Sequence, residues 1–264
     1  MIDTHTHLDG EEFIDDLPEV IARAKAAGVT EVFVPATNLK SCHSVLKVAN
    51  DYPWHAYPML GLHPEEVKTD FKQQLADVKS LLDASLVAST GNATPIAIGE
   101  VGLDYYWSRE FEKEQAEAFR IQVEWSVETR LPLMIHCRKA QNEMVNILKE
   151  YKDRLPGGVF HCFTGNEKEA EQLLQFDNFV LGIGGVLTFK KSHLPEVLPA
   201  VCPLERIVLE TDSPYMTPVP KRGTRNESAF VKYVLERLAE AYGMTPAETD
   251  EIITRTARCI FKIQ

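Results

Sequence analysis

Two histidines stand two residues apart at the start of the chain, His5 and His7 in MIDTHTHLDG. On a strand, residues i and i+2 point to one face, so the two imidazoles aim together and can grip one cation. Further acid–base or metal-competent side chains recur beside short apolar runs. His63 follows YPMLGL, Glu100 closes IAIGE, His136 closes PLMIH, His161 sits in GVFHC and Asp212 follows RIVLET. By strand parity His136 shares a face with Met134, and His161 with Val159. Cys137 and Cys162 therefore read as packing residues beside ligands. Thr37 and Asn38 also end an apolar run, but they are weak metal donors.

Four imidazoles and two carboxylates (His5, His7, Glu100, His136, His161 and Asp212) gathered at one place would each need a partner once withdrawn from water. A divalent ion supplies one. Six groups exceed what a single tetrahedral zinc with an open position takes. Two ions about 3.5–4 Å apart, sharing one carboxylate, fit the set better. Imidazole-rich donors suit zinc or manganese, and carboxylates with phosphate also admit magnesium.

Such a gathering requires elements that carry the groups to a common end. Candidate strands are 2–5, 31–35, 57–62, 96–100, 132–136, 158–162, 179–183 and 206–211. Amphipathic stretches separate them. DLPEVIARAKAAG begins at Asp16 as a cap and ends at Gly28, and TPAETDEIITRTARCIFK has Pro246 early in a helix. Eight apolar runs, each followed by helical sequence, predict a (β/α)8 TIM-type barrel with its active site at the C-terminal ends of the strands. No Gly-rich phosphate loop follows the first run, which argues against a doubly wound sheet. With no linker or repeat in view, residues 1–264 are expected to form one domain.

The bulk composition agrees with an acidic globular enzyme. The net charge is -11, which excludes a protein that coats duplex DNA by charge alone. No run approaches the ~18 apolar residues of a membrane span, and the first residues do not read as a signal peptide. Five cysteines without a CxxC pair fit reduced thiols in the cytoplasm. No obligate protein partner is implied.

DTHTHLD at 3–9, GLHP at 61–64, IGEVGLDYY at 98–106, IHCR at 135–138, FHCFTGN at 160–166, LETDSPYMTP at 209–218 and RGTRNES at 222–228 together resemble the TatD-related deoxyribonucleases of the metal-dependent amidohydrolase superfamily. The likeness spans nearly the whole chain. It departs at Ser228, where proline is usual, and at Trp107, where arginine is common. The resemblance implies a barrel nuclease that hydrolyses phosphodiester bonds of DNA with two divalent ions (Mg, Mn or Zn), typically as an exonuclease on single strands. It implies that His5 and His7 hold the first ion, His136 and His161 the second, and that Glu100 bridges. Asp212 then holds the first ion and can take a proton from the attacking water, so Asp212 and Glu100 are the expected catalytic carboxylates.

His63 is either a donor to substrate or the cap of HPEE. Glu210 shares parity with Asp212 and either orients a ligand histidine or pairs with a cation. Arg138 and Arg225, with Lys190, Lys191, Lys221 and Arg222, are candidate cations for a DNA or RNA backbone, and Tyr105, Tyr106, Trp107 and Phe163 are candidates to stack bases. A second reading keeps the metals and changes the bond: an ester or amide hydrolase, such as an aminoacyl-tRNA deacylase or a small-molecule amidohydrolase. A third is a barrel that binds without turnover. The cationic and aromatic set favours a polyanionic substrate.

Overall fold

The computed structural model describes residues 1–53, 55–88 and 93–263. The chain divides into two compact units, Met1–Val34 with Cys162–Gln264, and Pro35–His161.

In the first unit, β1 (Ile2–Asp3) is followed by α1 (Leu17–Ala26) and β2 (Glu31–Pro35), whose last residue crosses the boundary. The chain returns to this unit with α6 (Glu167–Leu173), β7 (Phe179–Ile183), α7 (Leu194–Val201), β8 (Ile207–Leu209), α8 (Val231–Tyr242) and α9 (Pro246–Phe261). β7 pairs with β8, and β1 with β2, all parallel. β8 is joined to β1 by the bond from Thr4 N to the Leu209 carbonyl, 3.0 Å, and by a parallel bridge between Thr6 and Ser213. β2 and β7 are buried along their whole length, as parallel strands covered on both faces must be.

The second unit carries α2 (Leu39–Asp51), β3 (Ala56–Leu60), α3 (Phe71–Ala88), β4 (Ala97–Asp104), α4 (Glu112–Thr129), β5 (Leu133–Arg138), α5 (Gln141–Lys149) and β6 (Gly158–Phe160). β3, β4, β5 and β6 pair in that order, parallel throughout. Gln122 of α4 pins the chain just past β3: its Oε1 accepts from Leu62 N at 2.7 Å, and its Nε2 donates to the Leu62 carbonyl at 3.1 Å.

Three helix starts, those of α2, α6 and α9, follow their capping chemistry. Thr245 and Glu248 form a capping box with Pro246 in the first turn, Asn166 and Glu169 form another, and Asn38 caps α2 by accepting from Ser41 N. Asp16, expected to cap α1, makes no such bond. Its carboxylate is taken by Arg225 and Arg23 instead.

Six strands differ from the sequence reading: β1 stops at Asp3, β3 spans Ala56–Leu60 and β5 runs on to Arg138, while the ends of β4, β6 and β8 each move a functional residue. β4 runs four residues past Glu100. Gly102 permits this, because a Cβ there would stand 1.9 Å from the His136 carbonyl oxygen, so only glycine lets β4 continue against β5. β6 and β8 stop early, at Phe160 and Leu209. Beyond them Cys162 and Asp212 adopt left-handed backbone, φ 51° and 54°, which ladder pairing does not accommodate. No helix among the described residues is long and apolar enough to cross a membrane.

Candidate metal centres

In the first unit, His5, His7 and Asp212 lie just past the C-terminal ends of β1 and β8. His5 Nε2 and His7 Nε2 are 3.3 Å apart. Asp212 Oδ1 stands 3.8 Å from the first nitrogen and 3.5 Å from the second. The rings meet edge to face, with centroids 5.0 Å apart. Both imidazoles thus face one carboxylate oxygen, although β1 stops at Asp3 and neither residue lies on it.

Backbone bonds hold the three in place. Asp212 N donates to the His5 carbonyl at 2.9 Å, and His7 N to the Ser213 carbonyl at 2.8 Å. Beneath them is a residue the sequence reading passed over, Asp3. Its carboxylate accepts from Thr211 N at 2.9 Å and from Thr211 Oγ1 at 2.7 Å, tying β1 to the segment that presents Asp212. Full burial raises the Asp3 pKa to about 7, against the opposing pull of hydrogen bonds from Ser228, Thr211 and the His5 backbone. Glu210 is also fully buried. Its Oε1 accepts from Cys162 N at 2.5 Å, a contact with backbone, where the sequence suggests a ligand histidine or a cation.

In the second unit three imidazoles surround one carboxylate oxygen. Glu100 Oε1 lies 2.9 Å from His136 Nδ1, 3.3 Å from His161 Nε2 and 3.4 Å from His63 Nε2. Donor atoms of Glu100, His136 and His161 fall within 4.8 Å of one another. Glu100 is carried on β4 with its backbone N donating to the Ala36 carbonyl, and His136 sits on β5 opposite Gly102.

The far side of His136 holds the second residue missed from sequence. Its Nε2 is 2.9 Å from Asp104 Oδ2. Glu100, Gly102 and Asp104 alternate along one strand, and that parity was the available signal. A strand ending at Glu100, as the sequence predicts, leaves Asp104 outside that parity. Burial disfavours the His136 cation, but hydrogen bonds with Asp104 and Glu100 outweigh it and raise the pKa to about 9. Burial likewise opposes ionised Asp104, yet hydrogen bonds from His136 and the Tyr106 backbone leave its pKa below the usual carboxylate range.

His63 is the cap that one of the two readings expected. Its Nδ1 accepts from Glu65 N at 3.2 Å, capping the 3-10 turn Pro64–Glu66. That bond leaves the proton of the neutral ring on Nε2, the nitrogen facing Glu100. Arg138 is exposed, with its guanidinium 3.7 Å from the Tyr106 ring centre. Arg225 is committed elsewhere: it pairs with Asp16, donates to the Glu12 carbonyl and stacks 4.6 Å from the Phe13 ring. Arg222 stacks on Phe189 at 4.2 Å, and Lys221 on Phe230 at 5.6 Å.

Both clusters offer imidazole nitrogen and carboxylate oxygen, the donor chemistry that zinc and manganese take. The TatD related DNase family model matches residues 2–262. The chain belongs to the TatD family.

The TatD assignment agrees with individual relatives. An uncharacterized metal-dependent hydrolase of Bacillus subtilis, YabD, is 37% identical over 263 residues, covering 100% of this chain and 99% of its own. A 3′-5′ ssDNA/RNA exonuclease TatD of Citrobacter rodentium is 34% identical, covering 100% and 98%. The crystal structure of YJJV, a TatD homologue from Escherichia coli K12, superposes with a TM-score of 0.90 at 28% identity, covering 100% of this chain and 98% of that one. The fold class is therefore the α/β barrel expected from the sequence, and this TatD chain is an enzyme of the metal-dependent hydrolase kind.

Proposed function

We propose that residues 1–264 act as one catalytic domain that hydrolyses phosphodiester bonds of single-stranded DNA as an exonuclease, using two divalent ions. The observation that carries this reading is the convergence of His63, His136 and His161 on one oxygen of Glu100. The relatives named as single-strand exonucleases support the substrate.

His5, His7 and Asp212 would hold one ion, and Glu100, His136 and His161 the other. Divalent ions so held acidify water and polarise a phosphoryl oxygen. Asp212 Oδ1 faces the first cluster and receives the proton of the attacking water. His63 carries its proton on Nε2 and donates it as a hydrogen bond to substrate oxygen. Asp104 fixes the orientation of the His136 ring through Nε2. Arg138 supplies positive charge for the phosphate backbone, and Arg225, engaged by Asp16, serves the fold.

The test is metal analysis and cleavage together. Purified protein is expected to bind about two divalent ions per chain. Chelation should abolish cleavage of a single-stranded oligonucleotide, and manganese, magnesium or zinc should restore it. His136→Ala should lose bound ion and cleavage together. Hydrolysis of acyl esters without oligonucleotide cleavage would overturn the proposal.

A further inference from the structure

Beyond the metal ligands, the second unit carries an exposed aromatic and cationic group that packing does not require. Tyr106 is 49% exposed and Trp107 68%. Their rings meet edge to face at 4.9 Å. Arg138 lies over both, 3.7 Å from the Tyr106 centre and 5.2 Å from that of Trp107. An indole left that far in solvent gains little from burial, and such surface in a soluble protein marks a binding site more often than a packing site.

The group is fixed relative to the metal-ligand candidates. Asp104 and Arg138 are register partners at the ends of β4 and β5, and Tyr105 N donates to the Arg138 carbonyl at 2.9 Å. Arg138 is two residues beyond His136, hence on the same strand face. Asp104 touches three parts at once. It bonds His136 through Oδ2, it accepts from Tyr106 N at 2.8 Å through Oδ1, and it lines a pocket with Trp107, Lys68 and Phe111. The aromatic pair thus begins two residues after a carboxylate that holds a candidate ligand.

We infer that Trp107, with Tyr106 and Arg138, forms a stacking platform for an unpaired nucleobase next to the scissile phosphate. The inference rests on the nuclease reading above and goes beyond it by naming where a base is held. Arg138 holds the Tyr106 ring by cation–π contact and offers its remaining N–H donors to phosphate. The indole face of Trp107, braced by the edge-on Tyr106 ring, is sequence-tolerant: it takes any base but requires it to be unstacked. The platform therefore selects single strands, and duplex ends enter only after fraying.

Cleavage of matched single-stranded oligonucleotides, one intact and one abasic at the terminal nucleotide, tests this. Trp107→Ala is expected to raise KM about tenfold on the intact strand. Its effect on the abasic strand is expected to be under about threefold, because the contact is already missing. Trp107→Phe should recover most of the loss. Equal losses on both strands, or no recovery by Phe, would overturn the platform. Tryptophan fluorescence gives a readout apart from turnover. Oligothymidylate should quench wild-type emission, and the quenching should vanish in Trp107→Phe, in which Trp54 and Trp125 remain. If the wild-type protein cleaves no oligonucleotide, the nuclease reading fails. The platform is then judged on quenching alone, and unchanged quenching in Trp107→Phe would overturn it.

Discussion

The two histidine clusters are built differently. The one in Pro35–His161 has Glu100 and His136 on regular strand, with His63 and His161 past strand ends, and its central imidazole is held at 2.9 Å by a carboxylate on each side. The one in the other unit lies past the strand ends, with Asp212 Oδ1 3.5 Å and 3.8 Å from the imidazole nitrogens. The first is pre-paired through side chains. The second is placed through the backbone, by Asp3 below and by the left-handed turn at Asp212. A cluster of the first kind should resist small losses and fail when its shared carboxylate goes. A cluster of the second kind should depend on what lies beneath it.

The largest expected effect is therefore at Glu100. Glu100→Gln should lower kcat on single-stranded oligonucleotide by about a thousandfold and reduce bound metal, because three imidazoles lose one partner. Asp212→Asn should cost about a hundredfold in kcat, with the Glu100 cluster still binding its ion. Loss of all metal in Asp212→Asn would erase the distinction between the clusters.

Asp104→Asn is expected to cost about ten- to a hundredfold in activity or metal affinity. It also carries a pH signature. In metal-free protein the His136 pKa stands at about 9, above the unfolded value of 6.5. A raised folded value stabilises below the unfolded one, and that stability is lost as pH rises through the folded one. Urea unfolding of metal-free protein should thus show falling stability between about pH 6.5 and 9, and Asp104→Asn should flatten that slope. Metal binding must displace the His136 proton, so affinity should rise with pH over the same window.

Asp3→Ala should destabilise by about 1–3 kcal/mol, since Thr211 keeps a buried N–H and hydroxyl without their acceptor. Its effect on kcat should exceed that of an equally destabilising change in α9, which would sharpen the case for placement from below. Arg225→Ala is the smallest. An ion pair this open to solvent contributes little stability, and KM should be unchanged within error. A clear rise in KM would return Arg225 to the substrate.

Much of this was legible before any coordinates. The apolar runs announced eight strands because parallel strands buried on two faces have nothing else to be. The ligand candidates were readable because a histidine at a strand end is chemically conspicuous. Asp104 was not, because Gly102 after Glu100 reads as a strand end, and only the close approach of β4 and β5 reveals why glycine stands there. Asp3 hid behind its neighbours His5 and His7: a buried acid that binds backbone has no spacing signature. Asp16 misled for a related reason. A cap residue is recognised by position, but its carboxylate goes to Arg23, seven residues on, and to Arg225, brought from more than two hundred residues away.

The left-handed backbone of Asp212 (φ 54°) also decides how that residue can be probed. Asparagine and aspartate visit this region several-fold more readily than other side chains with a Cβ. An amide at position 212 thus removes charge while leaving the turn at ease, whereas alanine would change charge and conformational preference together. The informative pair of variants is the one that separates those two quantities at a single position.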